Sequence, residues 1–239
     1  AKDVETLFKL IYLSFTAPRI DSTAFLAFQN RIRGYMENRS ANPEAAYEDT
    51  IQVTMAQYHH RARVWSVKLL EEMDLLRSYE IYKDRFSDAG DFTFVFVGNF
   101  DLASLRHLVL TYLGSLPSVG RKESWRNVGP RPPRGVIEKT VRRGLEPKSS
   151  NRLVFSGAFE WSRQNKCDLD AMAHVLRIRL REVVRESMGG SYSVGVWSSA
   201  ARFPEERYTL TVDFECSPDR VEQLTEAVFS QIDSFLLPQ

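Results

Sequence analysis

Tyr192-Ser-Val-Gly-Val-Trp-Ser-Ser-Ala-Ala-Arg-Phe203, Pro204-Glu-Glu206 and Arg207-Tyr-Thr-Leu-Thr-Val-Asp-Phe-Glu215 run consecutively near the end of this 239-residue chain. In the last of these runs Tyr208, Leu210, Val212 and Phe214 take every other position, the period of a strand with one apolar face. The short Pro-Glu-Glu connection makes the two flanking runs a β-hairpin, so the sheet has antiparallel neighbours. Working outward, a long helix is expected over about Lys166 to Ser187. A closing helix is expected over about Asp219 to Leu236, with Val221, Leu224, Val228 and Ile232 on its apolar face. Upstream, Arg152 to Phe159 alternates around Leu153, Phe155 and Gly157 and reads as a strand, as does Val136 to Arg143.

The first 86 residues have a different period. Val4, Leu7, Phe8, Leu10, Ile11 and Phe15 recur at helical spacing up to Pro18, which predicts a core helix. A second helix is expected from Ser22 or Thr23 to Asn38, a third starts at Asn42-Pro43-Glu44, and one long helix fills about Ser66 to Phe86. Phe92-Thr-Phe-Val-Phe-Val97 breaks this run: uninterrupted aromatic and β-branched residues predict a strand covered on both faces. Asp101 then caps a helix on Leu102, Leu105, Val109 and Leu113, ended by Gly114 and Pro117. Prolines and glycines crowd residues 117 to 135, where the domain boundary is expected. The fold class is therefore α+β, with helices packed on a mixed or antiparallel sheet in ferredoxin-like layers.

Composition narrows the function. Lys and Arg number 32 against 31 Asp and Glu, a net charge of +1 that draws the chain toward neither nucleic acid nor anionic membrane. The apolar run Leu7 to Phe15 is too short to span a bilayer, and the opening residues already lie within a helical pattern, so no signal peptide is read there. Cys167 and Cys216 form no CxxC pair and are expected to be small buried side chains. No nucleotide-binding GxGxxG and no GxSxG nucleophile elbow occurs.

The histidines are His59, His60, His107 and His174, and none lies four residues from another. A helical HExxH, or its inverse HxxEH, needs that spacing to set two zinc ligands on one face, so no self-contained zinc site of that kind exists here. His59 and His60 are expected to point apart in a solvated loop, His107 to lie at the surface, and His174 to be a satisfied, partly buried side chain.

Arg185-Glu-Ser-Met-Gly-Gly-Ser-Tyr192-Ser-Val runs from a helix end through two glycines into a strand. Such a turn can bring the guanidinium of Arg185 and the phenol of Tyr192 toward one cleft, where both could polarise a peptide carbonyl or steady an oxyanion. Equally, the Arg could complement the helix dipole while the Tyr packs in the sheet.

This stretch resembles the R-E-x-x-G-x-x-Y-S-V segment in the second domain of each half of pitrilysin (insulinase) family zinc peptidases. Phe94-Val-Phe-Val-Gly-Asn-Phe-Asp101 and Tyr112-Leu-Gly-Ser-Leu-Pro117 are similar to two further motifs of that family, in the same order. The resemblance implies repeated α+β domains in two halves that close around an unfolded peptide. The helix around Phe28 to Glu37 carries only Glu37 where a catalytic half has two glutamates seven apart, so the chain is similar to the non-catalytic C-terminal half of a long bacterial member. The implied layout is the later part of one family domain over 1–116, a connection over 117–144, and the first part of the next domain over 145–239.

On this resemblance Arg185 and Tyr192 support the transition state, while zinc is held by an HxxEH-bearing half of the same or a partner chain and by no residue here. The implied substrates are peptides or small unfolded proteins, and the similar bacterial members point to the periplasm. The alternative is a non-proteolytic assembly or binding subunit derived from the same family.

Overall fold

The computed structural model describes residues 3–39, 41–188 and 193–236, with side chains described as far as residue 183 in the long helix and residue 234 in the last one. The chain divides after Arg126 into two compact units.

The first unit holds α1 (Val4–Thr16), α2 (Ser22–Arg39), α3 (Pro43–Met55), α4 (Val67–Glu71), α5 (Leu75–Arg85) and α6 (Leu102–Leu108), the last running on into a π-helical turn over Val109–Leu113. Caps explain most of the boundaries. Asn42 accepts from the Glu44 amide ahead of Pro43, and Asp101 accepts from the Ser104 amide at 2.7 Å. The single helix expected over Ser66 to Phe86 is in fact two. Ser66 caps α4 through the Leu69 amide and Asp74 caps α5 through the Arg77 amide, so two competing N-caps within one apolar stretch restart the helix.

Phe8 on α1 is fully buried, stacked on Phe96 with centroids 5.4 Å apart and tilted against Tyr112. Phe15 meets Phe86 and Phe92 edge-on. The other apolar positions of α1, including Leu7, Leu10 and Leu13, are exposed, so the expected core helix buries a single residue completely.

Phe92–Val97 corrects a second expectation. Its aromatic side chains pack on α1 and on Phe86 just beyond α5, yet among the described residues the segment joins no sheet, and Val95 and Val97 are 78% and 93% exposed. A strand exists through its ladder partners, and here none is present. The unit ends on a clamp at Asp88. The buried Asp88 carboxylate accepts from the Gly90 amide at 2.9 Å and the Arg121 amide at 2.5 Å, while the Arg121 side chain pairs with Asp84, Asp91 and Glu123. The amides of Arg121 and Gly90 hold the Asp88 carboxyl below its ordinary value, because each stabilises the anion.

In the second unit β1 (Ser149–Ala158), α7 (Arg163–Met188), β2 (Val194–Ala201), β3 (Arg207–Cys216) and α8 (Val221–Leu236) follow in order. The sheet order is β1-β3-β2 with both pairings antiparallel, so α7 carries the chain past the place that β3 later fills. The hairpin is confirmed, with Val212 opposite both Leu153 and Val196. Ala173, Leu176 and Leu180 on α7 and Leu224 and Val228 on α8 pack on Val194, Val196, Leu210, Val212 and Phe214. This is the α+β architecture expected, with helices on an antiparallel sheet.

Val136–Arg143, expected as a strand, lies outside the sheet, because β1 and β2 pair only with β3 among the described residues. Cys216 is buried as expected, whereas Cys167 is exposed on the outer side of α7.

Candidate functional site

α7 is held to the sheet by polar and apolar contacts along its length. Ser162 accepts from the Asn165 amide at the start of α7, and Ala173, Leu176 and Leu180, at spacings of three and four, hold one helix face against the sheet. Ser198 of β2 donates to Asp170 of α7 at 2.7 Å, a polar tie between helix and strand. β2 begins in the row of the sheet where Val194, Phe214 and Asn151 lie side by side. Arg185 belongs to the last turn of α7. Its side chain, together with Gly189, Gly190, Ser191 and Tyr192, lies outside the described residues.

Beside this junction the sheet turns one face to α7 and α8 and the other away from them. Val194 and Val196 take the helix side, so Gly195 and Trp197 take the other. There Arg152 of β1 forks Asp213 of β3, with Nε at 2.8 Å from Oδ1 and Nη2 at 2.7 Å from Oδ2. The Arg152 guanidinium stands 5.9 Å from the centre of the Trp197 ring. The sequence reading missed these three residues, since it followed only the apolar alternate positions. Odd positions in the hairpin carrying Trp197 and Asp213 were a signal, but pairing with Arg152 required the register of a strand 61 residues away. On the helix side Asn151 lies 3.5 Å from the Cys216 sulfur, and burial raises the Cys216 thiol above its ordinary value.

The histidines behave partly as expected. His107 is exposed. His59 and His60 do not point apart: their rings lie against each other, tilted by 33° with centroids 4.2 Å apart, where Gln57 and Tyr58 adopt φ of 50° and 55° and the chain is neither helix nor strand. His59 Nδ1 accepts from the Arg61 amide, and burial, then His60 and Arg61, lower its basicity. His174, expected to be partly buried, is exposed and lies 2.9 Å from Arg177 through Nδ1, since it projects from the α7 face opposite Ala173 and Leu176. No three His, Cys, Asp or Glu side chains converge to hold a metal among the described residues, so those residues do not fit a zinc ion. No described helix is long and apolar enough to cross a membrane.

Comparison with known proteins assigns this architecture. Residues 75–237 match the Peptidase M16 inactive domain. The chain belongs to the peptidase M16 family, in its inactive-domain branch. Among curated M16 relatives it is similar to the "Probable zinc protease PqqL" of Haemophilus influenzae, 23% identical over 98% of this chain and 25% of that protein. It is also similar to "Zinc protease PQQL-like" of Arabidopsis thaliana, at 21% identity over 96% of this chain and 26% of that one.

Among solved structures the fold matches the periplasmic protease PqqL from Escherichia coli, with a TM-score of 0.82 and 21% identity over 98% of this chain and 26% of that one. It also matches the peptidase M16 inactive domain from Pseudomonas fluorescens, with a TM-score of 0.67 and 16% identity over 98% of this chain and 57% of that one. The chain thus spans about a quarter of the length of the curated M16 relatives. The family and fold implied by the pitrilysin-type motifs are both met.

Proposed function

We propose that this chain is a substrate-cradling, non-catalytic part of a zinc-dependent metalloendopeptidase that degrades peptides or small unfolded proteins in a closed chamber. Membership of the M16 inactive-domain branch, over a stretch that includes Arg185 and Tyr192, is the observation that carries this reading. Residues 1–116 are the later part of one pitrilysin-type domain and 145–239 the first part of the next, joined by the Pro-rich segment. The similar proteins named as zinc proteases support a zinc-bearing parent, with the metal in an HxxEH half of the same or a partner chain. The similar periplasmic protease supports a bacterial, periplasmic setting.

Arg185 and Tyr192 are assigned to the substrate carbonyl. In this reading the Arg185 guanidinium would supply a charged donor and the Tyr192 phenol a neutral one to the carbonyl oxygen as negative charge develops on it. Tyr192→Phe in the full-length protein should lower kcat roughly 10- to 1000-fold, the range for loss of one oxyanion donor, with little change in KM. An unchanged kcat in a zinc-loaded, folded variant overturns the assignment. The inactive-domain description also accommodates a non-proteolytic binding subunit. Full-length protein that contains no zinc and cleaves no peptide would establish that second reading.

A further inference from the structure

α7 carries a line of basic residues that leads along the helix to Arg185. Ala173, Leu176 and Leu180 hold one face of this helix against the sheet. One residue later at each step, and turned away from that face, come His174, Arg177 and Arg181. Arg181 is exposed and Arg177 half-buried. Arg177 donates through Nη2 to His174 Nδ1 at 2.9 Å, which steadies its guanidinium, while its Nε is shielded from water and meets no acceptor among the described residues. Neither arginine pairs with a carboxylate among the described residues, in contrast to Arg152 with Asp213, Lys148 with Glu215 and Lys166 with Asp170 in the same unit. Asp170, one turn before His174, is engaged by Lys166 and Ser198. Two positive charges one helical turn apart thus stand without a counter-charge among the described residues.

We propose that Arg177 and Arg181 select acidic side chains at alternate positions of an extended substrate peptide. The proposal rests on the peptidase reading, which puts the substrate carbonyl at Arg185. Spacing supports it. Arg177, Arg181 and Arg185 follow one another every four residues of α7, an advance of about 6 Å per step along the helix axis. Alternate side chains of an extended peptide share one face and advance by about 6.6–6.8 Å, so the second and fourth residues from the carbonyl come level with Arg181 and Arg177. Charge names the occupant. A carboxylate gains a charge-assisted, forked hydrogen bond from a guanidinium that has no acidic partner to give up, whereas a basic side chain of the peptide meets like charge and a neutral one gains only contact.

The test uses full-length protein stripped of zinc with a chelator, so that peptides bind without being cut. Fluorescence anisotropy compares two labelled ten-residue peptides that differ only in carrying Asp or Asn at two positions spaced two residues apart. Wild type should bind the Asp peptide about 3- to 10-fold more tightly, the range for partly exposed charge-assisted pairs. The double variant Arg177→Gln, Arg181→Gln should bring that ratio to about one. Arg177→Lys with Arg181→Lys, which keeps the charge and loses the fork, should retain part of the preference and stands in if the glutamine variant fails to fold. Arg143→Gln, an exposed arginine of the 117–144 connection, removes charge away from α7 and should leave the ratio as in wild type.

A preference that survives the double glutamine variant, one that Arg143→Gln reduces as much, or no preference in wild type, as when another segment of the full-length protein neutralises the two arginines, would each overturn the assignment. Failure of the peptidase reading shows separately, as zinc-loaded protein that cleaves neither peptide while the preference dependent on Arg177 and Arg181 persists.

Discussion

The two units spend similar apolar side chains in different ways. In the second, three strands supply a continuous inner face, and Val212 and Phe214 are enclosed between β1, β2 and the two long helices. In the first, helices predominate, and among the described residues complete burial is confined to Phe8, Leu70 and Asp88, while Val95, Val97, Leu7 and Leu10 remain in solvent. An apolar pattern is a statement about what a segment can bury, and it becomes stability only when a partner is present to bury it against.

This contrast can be broken most decisively by amide exchange. In this chain, amides of β3 should exchange slower than those of Thr93 to Val97 by a factor on the order of a thousand, because only the former sit in a ladder under a closed core. Comparable protection at the two places, read by mass spectrometry of peptic fragments, would mean that Phe92–Val97 has acquired strand partners.

Mutation sharpens the same contrast on a smaller scale. Phe214→Ala should cost about 3–5 kcal/mol, as for other fully enclosed aromatic residues, measured by urea unfolding of the chain. Leu10→Ala, from an exposed position of α1, should fall within about 0.5 kcal/mol of the parent. A Leu10→Ala cost similar to that of Phe214→Ala would contradict the exposure of the α1 outer face.

A more modest effect than that of Phe214→Ala concerns the Asp88 clamp, the place where the first unit is held by polar contacts in place of apolar ones. Asp88→Asn should lower the melting temperature by several degrees at neutral pH. The carboxyl is held below its ordinary 3.8 by the Arg121 and Gly90 amides, so its contribution is complete above that value and is lost as the pH falls through the lower, folded value. The deficit of the Asn variant should therefore shrink in acid below about pH 4. A deficit that stays constant down to pH 2 would show that geometry, and not charge, holds the loop.

How far the sequence could be read follows the same division. The hairpin was legible because Tyr208, Leu210, Val212 and Phe214 alternate locally and β3 fell where that alternation placed it. The break between α4 and α5 was less legible, since Ser66 and Asp74 compete as caps and apolar spacing runs through both helices. For the candidate site, the motif around Arg185 and Tyr192 was visible in the residues alone, whereas the Arg152–Asp213–Trp197 group joins positions on three strands that no local pattern connects.

The sequence by itself determined the α+β class, the helical lead-in, the antiparallel hairpin and the family, because each depends on short-range periodicity or on a contiguous motif. The tertiary structure alone decided which strand-like segments are strands and which residues meet Trp197 on its face of the sheet. Val136–Arg143 and Phe92–Val97 have strand-forming sequences without ladder partners among the described residues, and Trp197 acquires its setting only when the register brings Gly195, Asp213 and Arg152 into one row. Hydrogen-bond pairing and side-chain enclosure are made between segments distant in sequence, and so are settled only by the packing of the whole unit.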